Sequence, residues 1–231
     1  RAEMPLMYDF DLNQNGGHLR GYQVKDTQRV IDAFTELTEE NGNGLMFVVG
    51  DGNHSLATAK AHWDRIKGDL TPEEREAHPA RFALVEAINL YDKGLEFEPI
   101  HRVVFNVQND FVVGLRKAVQ GSYKTHIYSI EVGEVPLLIP SNAPMAYRLI
   151  QDYIDNYLKN NPGVSVDYIH DLNHTHEVAD KHPGSIAIAM PSLTKGDLFD
   201  YIASGDVLPR KTFSMGHAIE KRYYLECKRI K

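Results

Sequence analysis

Eleven residues carry the clearest structural signal in this chain: Leu45-Met46-Phe47-Val48-Val49-Gly50-Asp51-Gly52-Asn53-His54-Ser55. The continuous apolar run at residues 45–49 is typical of a strand that is buried on both faces. The two glycines predict a sharp turn, because glycine adopts backbone conformations that other residues avoid. Apolar residues then recur at helical spacing over Ser55–Lys67, which predicts a helix. The segment therefore predicts a buried strand, a tight turn and a helix in direct succession.

Strands and helices alternate along the rest of the chain as well. The other predicted strands are His18–Lys25, Arg81–Leu90, Ile100–Val107, Tyr123–Glu131, Val135–Ile139, Val164–Ile169, Ser185–Met190 and Tyr223–Lys228. Two further helices are predicted to begin after Asp26-Thr27 and after Thr71-Pro72, and one lies between residues 169 and 185. The remaining predicted helices span Asp110–Val119, Ala143–Lys159 and Thr194–Ser204. This alternation predicts an α/β chain with mixed, α+β sheets. We expect one globular unit over residues 1–231, with a soft subdivision into residues 1–106 and 107–231.

The charge and cysteine content exclude several classes of protein. The chain has 25 Lys and Arg against 32 Asp and Glu, a net charge of −7, whereas a protein that binds nucleic acid needs a cationic surface. No apolar stretch approaches the roughly 18 residues of a membrane span. The single cysteine, Cys227, cannot form an internal disulfide, as is usual in a reducing cytosol. We therefore expect a soluble, cytoplasmic protein with neither a nucleic-acid nor a membrane partner.

The turn at residues 50–55 is a candidate site for an anion. A helix start offers free N–H groups and a partial positive charge, which together favour a phosphate or a carboxylate. Asp51 could hold Mg²⁺ or orient a hydroxyl group, and His54 could donate to an oxyanion or move a proton. The alternative is a structural corner in which Asn53 caps the helix and Asp51 faces water. We favour the functional interpretation, because open α/β sheets bind ligands at such corners.

Two more segments supply cations or hydrogen-bond donors. His101 and Arg102 begin a predicted strand, and the planar guanidinium of arginine suits a phosphate or a carboxylate. Lys211, beside Thr212, could meet a phosphate as a point charge. The alternatives are a surface strand pair without a ligand and an exposed loop lysine.

Glu86 is a candidate general base. It lies in the predicted strand Arg81–Leu90, on the same face as four apolar residues at alternate positions. Burial among apolar groups would raise the pKa of this carboxyl group and allow it to accept a proton near neutral pH. The alternatives are a buried structural ion pair and an irregular strand that turns Glu86 outward.

Four histidines in the second half suggest a metal site. They are His170, His174, His176 and His182. The first two would share a face of a helix, and zinc accepts imidazole readily. Asp171-Leu172-Asn173 is more typical of a turn and a helix cap, so we favour a polar helix start over a metal site.

Three segments resemble a known family. They are Gly50-Asp51-Gly52-Asn53-His54-Ser55-Leu56-Ala57-Thr58-Ala59-Lys60, Glu98-Pro99-Ile100-His101-Arg102-Val103-Val104, and Gly205-Asp206-Val207-Leu208-Pro209-Arg210-Lys211-Thr212-Phe213. The chain resembles, over nearly its whole length, the bacterial and archaeal family called domain of unknown function 1015. That family has no established activity, so the resemblance implies candidate positions without a reaction. Its members are typically longer on the N-terminal side, which implies that this chain is the C-terminal part of a larger protein.

A more distant resemblance concerns the first of these segments. An Asp-Gly-x-His-Arg motif that opens a helix is similar to the phosphate-contacting motif of the ParB/sulfiredoxin superfamily, whose members bind nucleotides and include a free-serine kinase. In this chain Asn53 and Ser55 stand where the common form has His and Arg. The usual arginine contact to phosphate is therefore missing, and Arg102 or Lys211 would have to replace it.

Together these features predict an enzyme whose small anionic ligand is a nucleotide such as ATP, ADP or CTP, bound with Mg²⁺. The predicted reaction is phosphoryl transfer to, or hydrolysis on, a small molecule. The predicted catalytic residues are Asp51, which also holds the metal, His54 and Glu86. The predicted ligand-binding residues are Gly50, Gly52, Asn53, Ser55, His101, Arg102, Lys211 and Thr212. A non-catalytic metabolite-binding or regulatory module is the alternative, and a metal-dependent hydrolase is the third hypothesis.

Overall fold

The computed structural model describes residues 4–40, 44–216 and 227–229. Contacts divide the chain into unit 1, which comprises Arg1–Asp92 and His217–Lys231, and unit 2, which comprises Lys93–Gly216. Helices alternate with antiparallel strands, so the fold is a mixed α+β fold, as expected. The expected subdivision after residue 106 falls inside unit 2. Among the described residues, no helix combines the length and the apolar character that crossing a membrane requires.

The described residues of unit 1 form one hairpin and three α-helices. Its elements are β1 (Leu6–Asp11), β2 (His18–Tyr22), α1 (Thr27–Glu40), α2 (Asn53–Ile66) and α3 (Pro72–Ala77), and the two strands pair antiparallel. The predicted helices near Asp26-Thr27 and Thr71-Pro72 are confirmed. The Asp26 carboxylate accepts a hydrogen bond from the N–H of Arg29 at 3.1 Å, and Thr71 and Glu74 form a reciprocal capping box.

Two predictions for unit 1 are wrong. The segments Leu45–Val49 and Arg81–Leu90 contain no strand, and several of their large apolar side chains, including Phe47 and Leu84, are exposed. A strand needs a partner that accepts and donates its backbone hydrogen bonds, and the described strands of unit 1 pair only with each other. The apolar sequence of either segment does not specify whether another strand lies beside it, and the prediction of a strand failed for this reason.

Unit 2 is built on a five-stranded antiparallel sheet. The strands of this sheet are β4 (His101–Phe105), β5 (Tyr123–Ser129), β6 (Gly133–Ile139), β7 (Ser165–Ile169) and β8 (Ile186–Ile188). Two short strands, β3 (Phe97–Pro99) and β9 (Phe213–Met215), form a separate antiparallel pair. The order across the large sheet is β6-β5-β8-β4-β7. The five strands of the large sheet were all predicted, whereas the short strands β3 and β9 were not. The last predicted strand, Tyr223–Lys228, falls mostly outside the described residues, and residues 227 and 228 are not in a strand.

The helices of unit 2 cover both faces of this sheet. They are α4 (Phe111–Ala118), α5 (Ala143–Asn160), α6 (Leu172–Asp180) and α7 (Lys195–Ala203). Because neighbouring side chains of a strand point to opposite faces, Val104 packs with α4 and α5, whereas Val103 packs with α6. The fully buried residues of the α4–α5 side include Leu115, Ile127, Leu137, Ile139, Ile150 and Ile154. This side holds the main hydrophobic core of unit 2.

Leu137 and Leu138 of β6 provide a matched test of this core. Leu137 is 0% exposed and Leu138 is 53% exposed. We expect Leu137→Ala to lower the free energy of unfolding by about 2–5 kcal/mol, because it removes buried apolar surface and leaves a cavity. The control Leu138→Ala should change it by less than about 0.5 kcal/mol. Urea unfolding followed by circular dichroism measures both, and equal effects of the two substitutions would contradict the assigned register.

Candidate functional site

The turn at residues 50–55 ends at the start of α2 in unit 1. Gly52 is the N-cap of this helix and has a φ of 81°, in the left-handed region, with no side-chain capping bond. Glycine carries no side chain, so the N-cap supplies no acceptor for the N–H groups of the first turn. The alternative in which Asn53 caps the helix is wrong, because Asn53 is already the first helical residue.

The side chains around this helix start are accessible. Those of Asp51, Asn53, His54 and Ser55 are all exposed. One carboxylate oxygen of Asp51 accepts a hydrogen bond from the N–H of Gly52 at 2.8 Å, which orients the carboxyl group along the turn. The helix runs for 14 residues, and its dipole adds partial positive charge at this end. An anion could therefore reach the first turn of α2 and meet N–H groups together with an acidic and an imidazole side chain.

Arg102 lies in the interior of unit 2 and is 0% exposed. Each of its three guanidinium nitrogens donates a hydrogen bond: Nε to the side-chain oxygen of Gln151 at 3.3 Å, Nη1 to the carbonyl of Ile100, and Nη2 to the carbonyl of Arg210 at 3.4 Å. In this structure the guanidinium is therefore an internal support that joins β4 to α5 and to the segment before β9. Its contact with an anion stays a prediction.

Aromatic rings and one carboxylate complete the surroundings of Arg102. The guanidinium carbon lies 5.5 Å from the ring centre of Tyr147 and 4.9 Å from that of Tyr168. Gln151 donates to Asp155 at 2.9 Å, and Arg210 donates to the same carboxylate at 2.8 Å. Burial lowers the pKa of Arg102 to about 10, so the side chain keeps its charge at neutral pH. The side chain of Gln151 thus connects the Arg102 guanidinium to the carboxylate of Asp155.

His101 is also buried and has a defined hydrogen bond. Its Nδ1 accepts from the N–H of Met190 at 3.0 Å, which fixes the ring between β4 and the end of β8. Burial, and after it the charge of Arg102, lower the pKa of His101 to about 4. His101 is therefore neutral at physiological pH, and in this structure it does not supply positive charge to a ligand.

The segment before β9 lies next to the start of β4. The N–H of Ile100 donates to the carbonyl of Thr212 at 3.2 Å, and the hydroxyl of the buried Thr212 donates to the carbonyl of Pro209 at 2.6 Å. Lys211 is exposed and has a φ of 56°, which is uncommon for a residue other than glycine. The structure thus brings two of the predicted ligand-binding segments together in unit 2, while the turn at residues 50–55 belongs to unit 1.

Glu86 does not have the environment that its prediction required. It is exposed, and the segment around it contains no strand. The prediction of burial in an apolar row is therefore wrong. The predicted alternative, in which Glu86 turns outward, matches the observed exposure.

The histidine-rich stretch forms a polar helix start, as favoured. The Asp171 carboxylate caps α6 by accepting from the N–H of His174 at 2.7 Å. His176, two residues further along, forms a cluster with His126 and Glu134, in which one ligand atom from each side chain lies within 4.8 Å of the other two. Burial lowers the pKa of His176, and His126 acts in the same direction.

The sequence analysis missed two members of this cluster. His126 and Glu134 belong to the hairpin β5–β6, and His176 belongs to α6. The available signal was the hairpin itself, because alternate residues of two paired strands share one face of a sheet.

Comparison with known proteins shows the family. Residues 1–227 match the family described as "Protein of unknown function (DUF1015)", and the chain therefore belongs to that family. The searches of curated proteins and of solved structures found no match to the chain. The resemblance of the chain to this family is thus confirmed.

The pKa of His101 gives a testable dependence of stability on pH. Its value falls from 6.5 to about 4 on folding, so the unfolded chain binds a proton that the folded chain does not. Stability should be full above pH 6.5 and should fall as the pH is lowered towards 4, by up to roughly 3 kcal/mol from this group. Urea unfolding between pH 7 and pH 4 should show this loss, and His101→Gln should remove that part of the dependence. A His101 ring signal that titrates near pH 6.5 by NMR would contradict the assignment.

Proposed function

We propose that this member of the family binds a small phosphorylated ligand, a nucleotide, at the turn formed by residues 50–55, and catalyses phosphoryl transfer to, or hydrolysis on, a small molecule. One observation carries the proposal. The N-cap of α2 is a glycine in the left-handed conformation, so no N-cap side chain bonds to the first turn, and the exposed side chains of Asp51 and His54 lie beside it. Such a helix start provides backbone donors and partial positive charge for a phosphate group.

Each exposed side chain at the turn has a distinct role in this proposal. Asp51 holds Mg²⁺ or the acceptor hydroxyl group, because carboxylate oxygens are the ligands that Mg²⁺ prefers. Bound Mg²⁺ neutralises charge on the phosphate groups. His54 stabilises the transferred group by donating a hydrogen bond to it. The N–H groups of Asn53 and Ser55 orient the phosphate before reaction, whereas the N–H of Gly52 donates to Asp51.

The proposal rests on the turn itself more than on distant cations. Arg102 is occupied by internal hydrogen bonds, and Ser55 stands where the ParB/sulfiredoxin motif has arginine. The distant resemblance to that motif supports a nucleotide as the ligand. Lys211 belongs to unit 2, so the proposal for the turn in unit 1 assigns it no role.

Thermal-shift titration with ATP, ADP, CTP and GTP, with and without Mg²⁺, tests the binding proposal. A ligand present at 100 times its Kd should stabilise the folded protein by about 2.7 kcal/mol. We expect at least one nucleotide to raise the Tm, and to raise it further with Mg²⁺. If no nucleotide stabilises the folded protein, the nucleotide proposal is wrong.

Substitutions at the turn separate an enzyme from a regulatory module. With the nucleotide that stabilises the protein, we expect His54→Ala and Asp51→Asn to lower phosphate release by roughly 10²–10⁴-fold while the thermal shift persists. The matched controls are His62→Ala, near the other end of α2, and Asp32→Asn, on exposed α1. Both controls should keep full turnover. Nucleotide binding without turnover in the unsubstituted protein would instead support the metabolite-binding module.

A further inference from the structure

We infer that His126, Glu134 and His176 form a binding site for a divalent transition-metal ion, Zn²⁺, in unit 2. The site has three protein ligands and leaves the fourth position of a tetrahedral ion to water. It goes beyond the proposed function, because it uses different residues, a different unit of the chain and a different ligand chemistry.

Strand register places the three residues on one face of the sheet. Tyr128 of β5 pairs directly with Glu134 of β6, so the two side chains point to the same face. His126 lies two residues before Tyr128, and alternate residues of a strand also share a face. The helix α6 packs on this face and brings His176 to the same place.

The spacing of the ligand atoms fits a tetrahedral ion. The Nε2 atoms of His126 and His176 are 3.4 Å apart. Two nitrogens, each about 2.0–2.1 Å from a tetrahedral zinc ion, lie about 3.3–3.4 Å from each other. A carboxylate oxygen of Glu134 is 3.9 Å from Nε2 of His126, and all the ligand atoms lie within 4.8 Å of one another. A single ion can therefore contact all three groups after a shift of the Glu134 side chain.

The surroundings orient His176 for this role. The ring of Tyr128 stacks on that of His176, with centroids 4.3 Å apart and an interplanar angle of 21°. The hydroxyl group of Tyr128 donates to the carboxylate of Asp180, which belongs to the same helix as His176. This stack and hydrogen bond tie α6 to β5 at the cluster. Contacts that fix the orientation of a ligand in advance strengthen metal binding.

The types of the three ligands indicate which ion binds, and their exposure indicates from which side water reaches it. Two imidazoles and one carboxylate are the ligands of many zinc sites that keep a position for water, whereas structural zinc sites have four protein ligands. Mg²⁺ and Ca²⁺ prefer sites made of oxygen atoms. His126 is 25% exposed and Glu134 is 62% exposed, so water can reach the ion from the side of Glu134.

Metal titration tests the site without any assay of activity. The protein is stripped with a chelator and titrated with Zn²⁺ by calorimetry, and with Co²⁺ by visible absorption, which is intense when the ion is four-coordinate. We expect one equivalent of either ion to bind. His126→Ala should weaken Zn²⁺ binding by at least about 100-fold, because it removes an imidazole ligand, and Glu134→Gln by at least about tenfold, because it replaces an anionic carboxylate with a neutral amide.

Two control variants make the result specific. His174 lies on the same helix as His176, is 58% exposed and pairs with Glu177, so His174→Ala should leave Zn²⁺ binding unchanged. Glu36→Gln on exposed α1 is the matched control for Glu134→Gln. Because Glu134 is exposed, its substitution keeps the fold, and circular dichroism verifies this for every variant. Three outcomes would overturn the site: His174→Ala weakens Zn²⁺ binding as much as His126→Ala does, Glu134→Gln and His126→Ala bind Zn²⁺ as tightly as the unsubstituted protein, or the protein does not bind one equivalent of the ion. The contact between His126 and His176 would then be only a hydrogen bond between two imidazoles.

Discussion

The buried guanidinium of Arg102 is the interaction on which the architecture of unit 2 depends. It donates to the carbonyl groups of Ile100 and Arg210 and to the side chain of Gln151, and so joins three segments that are far apart in the chain. A buried charge is costly unless hydrogen bonds and neighbouring groups compensate for it. Two tyrosine rings and the network that leads to Asp155 provide this compensation. Loss of any one partner would leave a charged group in the interior without its hydrogen bond.

The same sheet separates two kinds of environment. The face covered by α4 and α5 carries the main apolar core, and Arg102 lies on that side because it alternates with its neighbours in β4. The face covered by α6 has a smaller apolar cluster and holds the imidazoles of His101, His126 and His176. The last two contribute to the lowered pKa of His101. A well-packed core on one side thus supports a polar cluster on the other. Rigid elements of this kind hold ligand groups more accurately than loops do.

Much of the fold was predictable from local patterns, and the failures have a common cause. The strands of the large sheet and the helices of both units lie close to their predicted positions, because periodicity and capping act between residues that are near in sequence. The segments Leu45–Val49 and Arg81–Leu90 have the apolar character of strands, but within the described part of the chain neither is in a strand. The prediction for Glu86 failed with the strand that contained it. Exposure of a side chain depends on what packs against it, which no local pattern specifies.

The sequence by itself determined that a glycine turn leads into a helix close to Ser55–Lys67, that a helix follows Thr71-Pro72, and the membership of the family, since each depends on residues close together in the chain. Only the tertiary structure decided that Arg102 is internal and that His126 lies beside His176. The two histidines are 50 positions apart, and they meet because α6 packs on the face of the sheet that carries His126, while the register of β5 and β6 brings Glu134 to the same face. Register and packing arise from the fit of the whole core, and for that reason they appear only when the chain is folded.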